Sequence, residues 1–184
     1  MVPAWDLAAP VRKDLRRRAG ASRTDARCDA CEGAPLGSGR KRGAWSQAIG
    51  RSRGGFTSKI HCLADDRGRP VALALTPGNV SDITLALPLL QAVIPPKRLI
   101  ADKAYDAQSL RDWLKEQRII ATIPSTATRT VPYPLSRKAY RRRNQIERLF
   151  GHLKNWRRVA TRYDRLACNY LAAVALAACV VRWI

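Results

Sequence analysis

Acidic residues are scarce in this 184-residue chain: 14 Asp plus Glu stand against 34 Lys plus Arg, leaving a formal charge of +20. That imbalance is too large for an ordinary soluble enzyme. It favours a polyanionic partner, because clustered cations gain counterion-release free energy on phosphate backbones. Arginine-favouring codon usage is the plainer alternative. Long apolar runs are missing too. The most apolar stretch, Tyr170 to Val181, is an unbroken run of about 12 residues, short of the ~20 that cross a bilayer. No N-terminal apolar segment with a basic flank and a cleavage site is present, and the five cysteines are an odd number. These absences argue against a secreted disulfide scaffold and suit a reducing cytoplasm. At 26% charged and 46% apolar, the chain is neither collagen-like nor disordered throughout, and its length suits one domain plus tails.

The first 53 residues hold 12 basic and 5 acidic side chains, few large aliphatics and no sustained periodicity. Such a stretch cannot bury much apolar surface, so 1–53 is expected to be an irregular or disordered basic tail and 54–184 the folded core. From Gly54 the texture changes. Phe56, Ile60 and Cys62 alternate, Asp66-Arg67-Gly68 supplies a turn, and Val71 to Leu75 is apolar, which predicts a β-hairpin. Ser81 or Asp82 can cap a helix running to about Leu90, stopped by Pro95-Pro96. Arg98 to Ala101 reads as a buried strand ending on Asp102. Asp106 can cap a helix carrying Leu110, Trp113 and Leu114, and Ile119 to Ile123 is a further strand. Strand, helix, strand in these lengths implies parallel neighbours joined by a crossover, hence an α/β fold with helices packed on a mixed sheet. Asp102 then stands at the C-terminal end of its strand, where such sheets place their chemistry.

Ser125 to Leu135 reads as a connector. Ser136 to Arg158 is the longest helix predicted, and Arg165 to Ile184 is a second, largely apolar one. Ile146, Leu149, Phe150, Leu153 and Trp156 recur at helical spacing as one buried stripe. The other faces are basic: residues 137–165 hold 11 Lys or Arg against Glu147 and Asp164, a local charge of 11 − 2 = +9. On a helical wheel Tyr140, Arg143, Glu147 and Lys154 share a sector about 60° wide at the edge of the stripe. From there Glu147 can point towards the end of a neighbouring strand and Asp102. The plain alternative is a solvated, salt-bridged face worth a few tenths of a kcal/mol per pair.

The spacing Tyr140-x2-Arg143-x3-Glu147-x6-Lys154 resembles the signature of DDE transposases encoded by bacterial insertion sequences. Further segments are similar in family order: Gly50-Arg51-Ser52-Arg53-Gly54-Gly55, Thr76-Pro77-Gly78, Ala101-Asp102-Lys103-Ala104-Tyr105-Asp106 and Thr161-Arg162-Tyr163-Asp164. The resemblance runs from about residue 45 to the C-terminus. It implies an RNase H-like fold and metal-dependent cleavage and strand transfer at insertion-sequence ends.

The partners it implies are terminal inverted repeats and target DNA, with a homo-oligomer assembled on DNA in the bacterial cytoplasm at the nucleoid, and no membrane. It also implies two Mg²⁺ or Mn²⁺ ions, because negative charge on the attacking, scissile and leaving oxygens needs neutralising and carboxylates are the hard ligands such ions accept. Residue by residue, Asp102 matches the family's second acid and Glu147 its third. Tyr140, Arg143 and Lys154 match its DNA-contacting residues. The first acid, normally on an apolar strand, is matched by distance at Asp25, with Asp29 a poorer candidate. Ala21-Ser22-Arg23-Thr24 is no strand, so an incomplete first strand is expected, as in a truncated or frame-disrupted copy. A catalytically inactive DNA-binding remnant is the alternative function, and a host RNase H-like nuclease a third. Cys28-x2-Cys31 lacks a second ligand pair for zinc, Asp65 and Asp66 read as turn residues, and His152 reads as a surface histidine.

Overall fold

The computed structural model describes the backbone of residues 26–32 and 47–183, with side chains over 47–182. Its sheet is built from β1 (Ala26–Glu32), β2 (Gly50–Ser52), β3 (Gly55–Ala64), β4 (Pro70–Pro77), β5 (Arg98–Ala101) and β6 (Ile120–Thr122). The predicted hairpin is β3–β4, in antiparallel register from Ser58 opposite Pro77 to Ala64 opposite Pro70. Its turn is set by Asp65, whose Oδ1 accepts from the amides of Arg67 at 3.0 Å and Arg69 at 2.8 Å. Gly68 there takes φ +78°, a left-handed conformation that glycine adopts without steric cost. β1 pairs antiparallel with β3 and parallel with β5, which pairs parallel with β6. The sheet order is therefore β4-β3-β1-β5-β6, with β2 paired to the projecting start of β3. This mixed sheet with helices on both faces is the expected α/β, RNase H-like architecture.

Alternation along β3 divides the core. Leu63 joins Leu85, Leu89 and Leu90 from the segment before and within α1 (Ala86–Gln91), together with Leu110 and Leu114 of α2 (Gln108–Glu116). Ile60, Cys62 and Ala64 face Ile146, Leu149, Phe150 and Leu153 of α4, which follows the short α3 (Arg137–Tyr140) and spans Asn144–Lys154. Tyr170 and Val174 of α6 (Ala167–Trp183), reached through α5 (Arg157–Ala160), close that second core. Each buried Leu, Ile or Phe contributes about 1.5–3 kcal/mol relative to exposure, so the two layers hold the sheet from both sides.

Four expectations need correction. The irregular tail does not extend to residue 53. Ala26–Glu32 is a seven-residue strand in the middle of the sheet, with both edges hydrogen-bonded, so the first strand is present. It holds two Ala and two Cys and no β-branched or aromatic residue, so tertiary pairing rather than local propensity makes it a strand. Residues 1–25 of the expected tail, Asp25 among them, lie outside the described residues.

The single helix from Ser136 to Arg158 is instead α3, a 3-10 turn at Arg141–Arg143, α4 and α5. Among the described residues the longest helix is α6, at 17 residues. The break after α4 falls at Trp156, whose extended backbone (φ −82°, ψ 106°) lets Val159 reach the core. Trp156 itself is 43% exposed, outside the predicted buried stripe. Finally, Ala107 and not Asp106 stands at the N-cap of α2. Asp106 is drawn away by two arginines.

Candidate active site

Two adjacent parallel strands set the level of the site. Cys28 of β1 pairs with Ala101 of β5, so the next residues along each strand, Asp29 and Asp102, stand level at the C-terminal end of the pair. Ala26, which follows Asp25 in the chain, pairs with Leu99, three residues short of Asp102. Register thus sets the backbone of Asp29 beside that of Asp102. What could have revealed this is strand order, which no local pattern encodes.

Asp102 caps a 3-10 turn at Lys103–Tyr105 by accepting from the Lys103 amide at 2.6 Å. Its other oxygen, Oδ2, faces the 3-10 turn before α4, where Arg143 Nη2 lies 3.5 Å away. Arg143 Nη1 donates to Glu147 Oε1 at 2.5 Å, four residues on. One guanidinium, 17% exposed, therefore joins two carboxylates separated by 45 residues of chain, and both stay open to solvent at 38% and 52%. Buried Ile146 and Leu149 on the opposite side of α4 hold Glu147 outward. Of the four signature positions, the structure brings Arg143 and Glu147 together, with Asp102 between strand and helix. Tyr140 lies half-buried in α3 and Lys154 is exposed at the end of α4.

Among the residues with described side chains, no three His, Cys, Asp or Glu gather as a metal-binding group. Asp102 and Glu147 form a pair facing one shared cation, and β1 is the element positioned to add a third acid. The donors are carboxylate oxygens, as Mg²⁺ and Mn²⁺ prefer, and a shared point of positive charge already exists between them. The chemistry of the set fits a hard divalent ion.

Two further charged groups hold roles that the sequence reading did not assign. Asp106, four residues past Asp102, is half-buried as a residue, but its carboxylate is closed to solvent and accepts from Arg111 Nε at 2.6 Å, Arg129 Nη2 at 3.0 Å and the Thr126 amide at 2.7 Å. Burial alone would raise its carboxyl, but the bonds from Arg129, Thr126 and Arg111 outweigh that and hold it well below the usual carboxylate range. The Tyr133 ring lies beneath both guanidiniums, 4.1 Å from Arg111 and 4.9 Å from Arg129. These contacts strap the connector 124–135 against α2 beside the acids.

Arg162, of the Thr161-Arg162-Tyr163-Asp164 segment, is 2% exposed. It donates to the carbonyls of Gln47 at 2.6 Å, Asp164 at 3.0 Å and Arg165 at 3.2 Å, and to Ser58 Oγ. Burial pulls its pKa below that of a free guanidinium, with Tyr170 and Asp164 opposing. It ties the approach to β2 to the link between α5 and α6.

Residues 23–182 match the family described as Transposase DDE domain. The chain is 33% identical over 130 residues to a Brucella ovis protein named as transposase for insertion sequence element IS6501, covering 70% of this chain and 99% of that protein. It is 32% identical over 137 residues to a Burkholderia cepacia protein named as transposase for insertion sequence element IS402, covering 68% of this chain and 63% of that protein, so it spans less than two thirds of that relative. Among solved structures, a synaptic complex of piggyBac transposase with hairpin DNA superposes with TM-score 0.54 at 12% identity, covering 85% of this chain and 45% of that one. At that identity the likeness is one of fold.

Proposed function

Because this chain belongs to the insertion-sequence DDE transposase family, whose activity is DNA transposition, we propose that it cuts and rejoins DNA ends with Asp102, Glu147 and a β1 acid, Asp29, holding two Mg²⁺ or Mn²⁺ ions. The observation that carries this reading is the convergence of Asp102 and Glu147 on one cationic point, level with Asp29 across the β1–β5 pair. Bound there, divalent ions would activate the attacking oxygen and neutralise the leaving one. The chain's own residues would do the rest. Asp102 and Glu147 fix the ions on a strand end and a helix held by separate cores. Arg143, freed from the carboxylates when metal takes its place, would hold a phosphate oxygen. Lys154 and Tyr140 would contact the strand on either side, the first by charge and the second by stacking or hydrogen bonding. The substrates are double-stranded terminal repeats and target DNA, engaged by a homo-oligomer so that two ends are joined together.

The test is Mn²⁺-dependent nicking and joining of DNA carrying the element's ends by the wild-type chain and by Asp29→Ala, Asp102→Ala, Glu147→Ala and Asp25→Ala variants. Loss of about 10²–10³-fold is expected in the first three, by the scale of removing an electrostatic stabiliser from a transition state, with Asp25→Ala near wild type. Equal nicking by wild type, Asp102→Ala and Glu147→Ala would overturn the assignment. Loss in Asp25→Ala with Asp29→Ala active would move the first acid off the strand register.

A further inference from the structure

The start of β3 projects beyond the sheet. Its partner β1 ends at Glu32, opposite Lys59, yet β3 begins four residues earlier and turns back into β2 through Arg53-Gly54. Because β3 runs antiparallel to β1, this extension leaves the sheet at the end where Asp29 and Asp102 stand. Asp29 pairs with Cys62, and Phe56 lies six residues further along β3, about 20 Å at ~3.3 Å per residue. Phe56 is 45% exposed, an unusual position for a large aromatic, and Arg51 is its direct cross-strand partner. Arg51 and Arg53 are exposed. Residues 33–64 contain no Asp or Glu. Gly55 has φ +109°, and a side chain built there would meet nothing within 4 Å, while at Gly54 the nearest atom is Ser52 Oγ at 3.9 Å. The positive φ of Gly55 is what calls for glycine there, whereas Gly54 is required neither by a positive φ nor by packing, and the two together leave the tip slim enough to approach another backbone closely.

We propose that this hairpin tip is a DNA-deforming wedge, with Arg51 and Arg53 gripping phosphates and Phe56 entering the base stack about six base pairs from the cut. The inference rests on the reading of the chain as a DNA-cutting enzyme and adds a contact site to it. The spacing follows from 20 Å divided by the ~3.4 Å rise per base pair. Apolar side chains inserted between base steps unstack and kink duplexes, and flanking arginines offset the cost through phosphate contacts. An aromatic flanked by cations, on a narrow arm without acids, complements a polyanion and not a neutral protein surface.

The test uses the full chain and duplexes of the element's end carrying 2-aminopurine at successive positions on both sides of the cut, with Mn²⁺ cleavage followed in parallel. A several-fold fluorescence rise is expected about six base pairs from the cut and nowhere nearer. Phe56→Ala should abolish it while changing affinity less than about threefold, and Phe56→Trp should retain it. Arg51→Ala/Arg53→Ala should weaken binding on all sequences and lower the salt slope by about two. Asp102→Ala should keep the fluorescence while losing cleavage, so failure of the catalytic reading and failure of the wedge are told apart. Identical fluorescence for wild type and Phe56→Ala at every position would overturn the wedge. So would a Phe56→Ala effect confined to the oligomeric state by light scattering, which would make the tip a contact between copies.

Discussion

Asp106→Ala tests whether the connector beside the acids is held by a buried charge cluster. The substitution leaves the Arg111 guanidinium, on a side chain 7% exposed, with the Ile123 carbonyl at 2.8 Å as its remaining described acceptor. It also removes both Arg129 bonds to Asp106 and the acceptor of the Thr126 amide. Removing one partner of a buried ion pair costs about 3–5 kcal/mol. Arg129 is 20% exposed, so solvent takes over part of its loss and the low end applies, about 3 kcal/mol. With a urea slope of roughly 1.5–2 kcal/mol per molar, the unfolding midpoint should fall by about 1.5–2 M. Hydrogen exchange should quicken over 124–135 more than over β3.

The sign with pH follows from the depressed carboxyl. Unfolded, Asp106 titrates near its ordinary value of about 3.9, and folded it stays ionised well below that. Its contribution is therefore complete above pH about 4 and is lost as pH falls further. Asp106→Asn should flatten that acid limb. A midpoint shift under about 0.3 M, or an unchanged acid limb in Asp106→Asn, would refute the strap.

The remaining expectations concern other sites. Arg143→Gln removes the internal cation that competes for Asp102 and Glu147, so Mn²⁺ affinity by titration calorimetry should rise several-fold while DNA cleavage falls; weaker metal binding would mean that Arg143 organises the acids instead. His61 is buried against Thr76 and burial pulls its pKa down to about 4. The folded state therefore stays neutral where the unfolded chain takes up a proton, and stability should drop as pH falls from about 6.5 towards 4, with His61→Gln showing a smaller drop. At Gly78 an added Cβ would lie 2.0 Å from Thr57 Oγ1 and 3.1 Å from the Thr57 carbonyl oxygen, so Gly78→Ala should lose about 1–3 kcal/mol in denaturant unfolding.

Much of this fold was legible because its elements announce themselves locally. The β3–β4 hairpin, the strand before Asp102 and the buried stripe of α4 each follow from alternation or helical spacing over residues packed against a core. β1 was not legible for the converse reason. ARCDACE has neither period nor propensity, and it becomes a strand only because β3 and β5 offer hydrogen bonds on both edges. The first acid is where the two readings part: distance along the chain points to Asp25, which lies outside the described residues, and register across the sheet points to Asp29. The long basic helix was overextended because its periodic stripe continues through Trp156, while the backbone turns at that residue to bury Val159. Asp106 looked like a cap because its partners, Arg111 and Arg129, lie 5 and 23 residues away, beyond any local pattern.

The placement of the charges says more than their total. Many of the scarce acids are committed to named cations: Asp65 to Arg69, Asp82 to Lys59, Asp106 to Arg111 and Arg129, Asp164 to Arg158. Those pairs fix a turn, the approach to α1, the connector and the link after α5. Codon bias alone would scatter the surplus. Instead Arg137, Lys138, Arg141, Arg148 and Lys154 stand exposed along α3 and α4, around Asp102 and Glu147, whose carboxylates remain open to solvent. Crowding like charges on one surface costs folding free energy that salt or a polyanion relieves. Under the proposed function, a phosphate backbone lying over Asp102 and Glu147 would relieve that crowding, and Arg143 would be the side chain to change allegiance, from those two carboxylates to that backbone, on metal binding.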